Sequence, residues 1–147
     1  MRNGSFWASD MLGTHDMRFS RGAALVIGML APILETVRRW NTWRLDPPAL
    51  FDDYLIGILL LGGFWIYRAD RPRGRVLLAA GWGFTCAMAY VSVFSQIAAI
   101  RAGTPDPAPV PSEWVLIVKV FGGAIAAIGL ALTVFSKDGR PSVSHNG

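Results

Sequence analysis

Apolar residues in this chain come in long blocks rather than in alternation, and the charges fall between the blocks. The cleanest block is 76–100, which runs from Val76 to Ile100 without one Asp, Glu, Lys, Arg or His and is bracketed by Arg75 and Arg101. A helix rises about 1.5 Å per residue and bilayer hydrocarbon is about 30 Å thick, so about twenty apolar residues suffice to cross it. Three more blocks share this character. Gly22 to Leu34 is apolar and extends through Glu35 to Trp40; 49–67 is apolar except for Asp52 and Asp53; 114–135 is interrupted only by Lys119. A secretory signal peptide would also show an early apolar run. Here, however, mostly polar residues precede the run and no small-residue cleavage site follows it.

The pattern predicts an all-α integral membrane protein with four transmembrane helices, at about 21–40, 49–67, 76–100 and 114–135. They form one antiparallel bundle over 21–135. A segment 1–20 precedes it, whose Phe6, Trp7, Met11, Leu12, Met17 and Phe19 suit the inner leaflet, and a short polar tail 136–147 follows. The connections are short. Asp46-Pro47-Pro48 reads as a helix start, because Asp caps and Pro is tolerated in the first turn. The turn 69–74 is tight and basic, so the second and third helices should pack as a hairpin. The stretch 102–112 places prolines at 105, 107, 109 and 111, which favours an extended spacer.

Composition agrees with a membrane class: 52% of residues are hydrophobic and only 16% charged, where soluble domains carry about 25% charge. The basic excess, 14 Lys and Arg against 10 acids, would suit nucleic acid if the chain were soluble. In a membrane chain it reads as loop charge that sets orientation, and no nucleic-acid partner is expected. With four spans both termini share one side with the 69–74 turn. That side holds nine basic residues, Arg2, Arg18, Arg21, Arg68, Arg71, Arg73, Arg75, Lys137 and Arg140, against four on the other. The positive-inside rule then predicts cytoplasmic termini in a bacterial inner membrane. Trp40, Trp43 and Trp114 fall near the outer boundary, Trp65 and Trp82 near the inner one, where indoles favour the interface.

The intramembrane charges carry the most chemical information. Lys119 falls five residues past Trp114, hence roughly 7–8 Å below the boundary, near a helix start whose dipole disfavours a cation. The topology gathers Glu35, Asp52, Asp53 and Lys119 into one outer layer, so Lys119 is expected to pair with one of the acids, Asp52 or Asp53 before Glu35. Such pairing would lock the fourth helix against the second. The competing reading is a cation or proton site. On the fourth helix Gly122, Gly123, Ala126 and Ala127 form a small-residue face suited to close packing. On the third, Thr85, Ser92, Ser95 and Gln96 need polar partners in lipid and should turn toward protein.

Missing chemistry narrows the function classes. His15 and His145 lie outside the spans, and Cys86 is the only thiol, so neither a bis-histidine haem nor a cysteine metal site fits. No nucleophile elbow, zinc motif, phosphate loop or paired cysteine motif occurs. No catalytic residue, metal or cofactor is expected. The sequence therefore reads as a non-enzymatic accessory, scaffolding or assembly subunit of a larger membrane complex. Its partners would be the lipid bilayer and other membrane chains or further copies of itself. The alternative is a small oligomeric ion- or proton-coupled transporter or channel using the acidic layer.

Overall fold

A computed structural model describes the backbone of residues 5–38, 47–104 and 111–136, and the side chains of 17–37, 51–104 and 111–136. The loop 39–46, most of the proline-rich stretch and the tail from 137 lie outside the described residues. So do the expected Asp46 cap and the side chains of Phe6, Trp7, Met11, Leu12, Trp40 and Trp43.

Four helices appear where the four apolar blocks predict them: α1 Ser5–Arg38, α2 Pro47–Ala69, α3 Arg71–Arg101 and α4 Ser112–Phe135. Successive helices run antiparallel, and each packs on its chain neighbours. α4 closes the ring against α1, whereas α2 and α4 are diagonal and make no close backbone approach. Among the described residues three helices are long and apolar enough to cross a membrane: Met17–Val37 within α1, then α3 and α4. The chain is thus multi-pass by three candidate spans. α2 carries Asp52, Asp53 and Arg68 within its described length, which confines its uncharged stretch to 54–67.

The largest boundary difference is at the first helix. α1 runs unbroken for 34 residues from Ser5, so the helix extends upstream of the expected start at 21. The reason lies in Met17 and Ser20, both buried in the bundle: these residues pack as helix, and the chain before them continues the same turn. Pro32 sits inside α1. It has no N–H to give the preceding turn, and Thr36 Oγ1 donates to its carbonyl at 2.6 Å.

The hairpin between α2 and α3 is tighter than the sequence suggested. Asp70 is the one residue outside a helix, with extended backbone (φ −139°, ψ 99°), and its side chain accepts from Arg73 N. Pro72 fits the first turn, where a missing N–H costs nothing. Four residues after Asp70, Gly74 lies against the backbone of Tyr67, so close that any Cβ would overlap Tyr67 Cα and N. About two turns further, Gly81 seats against Leu60 and Leu59. At its other end α3 stops with Gly103 in the left-handed region (φ 64°), whose N–H and that of Thr104 return to Ile100 O and Ala99 O.

The core runs up the middle as Met17, Ala24, Ile56, Leu60, Leu78, Trp82 and Ala126. In lipid such a core gains little from the hydrophobic effect, and its cohesion comes from dispersion and hydrogen bonds between closely set helices. Trp82 is fully buried at 0% exposure. It is therefore a core residue and not the interfacial indole its sequence position suggested, while Trp65 and Trp114 do face outward.

Candidate functional site

The outer layer read from the sequence divides between two helix pairs. Lys119 on α4 points to α3, where Nζ donates to Gln96 Oε1 at 2.7 Å. Gln96 is buried at 4% exposure, so a cation here meets a desolvated amide oxygen. Asp52 and Asp53 stand half-buried at the start of α2, and Glu35 half-buried near the end of α1. Between those two helices Thr36 Oγ1 and Tyr54 Oη are hydrogen-bonded at 3.1 Å. α2 and α4 occupy opposite corners of the ring. Through this hydrogen bond Lys119 ties α4 to α3. Thr85 and Gln96 turn inward as expected, Thr85 Oγ1 donating to Gly81 O at 2.7 Å, while Ser95 is exposed.

The small-residue face of α4 is likewise divided. Ala126 is fully buried, and a Cβ on Gly123 would lie 3.3 Å from Ala89 Cβ, so these two face the bundle. A Cβ on Gly122 would meet nothing within 4 Å, and Ala127 is exposed. The closest approach on α4 comes one turn later at Gly129. A Cβ there would strike the Trp82 ring, 2.6 Å from Cε2.

Trp82 and Gly129 belong to a buried polar chain that the sequence did not announce. Trp82 Nε1 donates to Ser20 Oγ at 3.0 Å, and Ser20 Oγ lies 2.6 Å from Thr133 Oγ1. Thr133 Oγ1 reaches Gly129 O at 2.7 Å, and Ser20 Oγ lies 3.2 Å from the same carbonyl. Each hydroxyl has one proton. Between Ser20 and Thr133 either hydroxyl can donate, and the chain ends on Gly129 O. Three helices are joined through groups that are each fully buried, and a chain of donors of this kind is mutually polarised.

Directly beside it Arg75 closes the C-terminal end of α4. Its Nε donates to Thr133 O at 2.7 Å, and one terminal nitrogen donates to Val134 O at 2.9 Å and to Ser136 O. The last carbonyls of a helix lack internal partners and carry the negative end of its dipole. α4 has no basic residue in its own last turn, so an arginine near the start of α3 supplies the charge.

On the opposite side of this end, arginines stack on rings. Arg21 Cζ lies 5.3 Å from the Phe64 ring centre and 4.8 Å from that of Tyr67. Arg68 Cζ lies 5.1 Å from Phe64 and 5.1 Å from Trp65. Arg21 Nε is buried without a hydrogen-bond partner. The signal in the sequence was the spacing of Phe64, Trp65, Tyr67 and Arg68, which reads only as an interfacial girdle. Among the described residues no group of three or more His, Cys, Asp or Glu side chains is placed to hold a metal ion. Against known protein families, curated proteins and solved structures, the chain shows no match.

Proposed function

We propose that this chain is a non-catalytic accessory, scaffolding or assembly subunit of a larger membrane complex. It lies in a bacterial inner membrane with four spans and both termini cytoplasmic. The observation that carries the reading is α4, the least buried of the three candidate spans. Ile117, Val118, Phe121 and Phe135 stand outward beside Gly122 and Ala127, a surface of large and small apolar groups on which another helix can seat. The interior polar groups support it from the other side. Lys119, Gln96, Ser20, Thr133, Trp82 and Arg75 hold one another or the backbone, which is structural work.

Affinity purification in mild detergent, with mass spectrometry of the associated chains, tests the proposal. A defined membrane partner should co-purify, and Gly122→Leu or Ala127→Leu should release it while the bundle stays folded. The alternative, a small ion- or proton-coupled transporter or channel, draws on the acids at the start of α2. It requires that the purified chain alone carry ion flux in liposomes, and that Asp52→Asn with Asp53→Asn abolish the flux without affecting insertion. Orientation is tested by a periplasm-dependent reporter fused after Gly147, which should stay silent.

A further inference from the structure

Two guanidinium groups share one ring at the Asp70 end of the bundle. Arg21 from α1 and Arg68 from α2 both stack on Phe64, which is itself 9% exposed. Like charges so placed repel one another, and a cation near or within the apolar zone is costly without a counter-charge. Arg21 stands immediately before the apolar block that begins at Gly22. No carboxylate answers either arginine among the described residues. Asp70, the acid of this turn, is given to Arg73, with 3.3 Å between Oδ2 and Nε, and to the cap of α3. The rings orient the two groups but leave their in-plane N–H donors free, and Arg21 Nε is buried with no partner. Arg18, exposed one turn before Arg21, adds a third positive charge on α1.

We infer that the groove between α1 and α2 at this end is a binding site for the phosphate of an anionic phospholipid headgroup, held by Arg21 and Arg68 over Phe64. Planar guanidinium donors match phosphate oxygens in pairs, which an ammonium cannot do. The exposed Trp65 ring beside Arg68 provides the apolar shoulder on which the upper acyl chain would lie. The seat is separate from the Arg75 clasp, whose donors are committed to α4, and it is independent of whether the chain docks to a partner.

The test is thermal unfolding of the full chain in a nonionic detergent, titrated with short-chain phosphatidylglycerol, phosphatidylcholine or inorganic phosphate. Phosphatidylglycerol should raise the midpoint, and the other two should not. Arg68→Gln and Arg21→Gln should each weaken the apparent affinity about fivefold, the size expected for one surface arginine against anionic lipid. Arg71→Gln, an exposed arginine off the ring cluster, should leave it unchanged. Arg68 is exposed, so its variant keeps the test open if the Arg21 variant fails to fold. An equal midpoint shift from phosphatidylcholine overturns the site. So does an equal loss in Arg71→Gln, which would mean diffuse charge. An equal shift from inorganic phosphate would overturn the lipid assignment.

Discussion

The two ends of the bundle are built from different materials. At the Lys119 end the described contacts include a lysine on an amide and a threonine on a tyrosine, each joining one helix pair. At the Asp70 end a single-residue turn, the Trp82–Ser20–Thr133 chain and the Arg75 clasp involve all four helices. In a membrane interior a fully satisfied chain of neutral hydroxyls avoids the desolvation that weakens an ion pair, yet ties more elements.

The contrast should break first at Gly129. Gly129→Leu would force a side chain into the space of the Trp82 indole and cost about 3 kcal/mol or more, enough to prevent recovery of folded protein by size exclusion in detergent. Gly122→Leu, seven residues away toward open space, should leave the elution profile unchanged. Equal behaviour of the two variants would show that α4 is not registered on Trp82.

A smaller loss is expected for Arg75→Gln, about 2 kcal/mol, because charge-assisted bonds to three carbonyls at the end of α4 are lost. Hydrogen exchange should rise in the last turns of α4, from about Gly129 onward, and stay unchanged near Trp114. Uniform exchange along α4 would sink the clasp.

The smallest of the three is Lys119→Met, about 1 kcal/mol, from leaving Gln96 Oε1 buried without its donor. Pairing it with Gln96→Leu should restore part of the loss, measured as the unfolding midpoint, since removing both partners leaves nothing unsatisfied. If Lys119→Met proved costlier than Arg75→Gln, the ranking of the two ends would reverse.

What the sequence disclosed follows from what its signals are. Length and charge-free composition mark membrane helices strongly, so four helices and the α2–α3 hairpin were legible from apolar blocks and from ADRPRG. Helix starts were less so: α1 reaches back to Ser5 because a helix needs no apolar stripe to continue once begun. Lys119 was conspicuous for its charge, but its partner depends on which corner of the ring α4 occupies, a matter of topology that composition does not encode. Ser20, Thr133 and Gly129 were overlooked for the opposite reason. Each is an ordinary residue in a membrane helix, and only their meeting with Trp82 across three helices gives them weight. The Gly122, Gly123, Ala126 and Ala127 face was grouped by smallness, whereas α4's rotation sends two of them inward and two outward.

The one-residue turn at Asp70 also sets how α2 and α3 can change together. With no slack between them, the rotation of α3 about its own axis is dictated by the chain count from α2. One inserted residue would swing α3 by about 100°, carrying Gly74 off Tyr67 and Gly81 off Leu60 and bringing larger residues to the seam. Arg75 and Trp82 would leave α4 and α1 in the same movement. The position therefore works as a phase lock: it tolerates exchange of one residue for another that can cap, but no change in length.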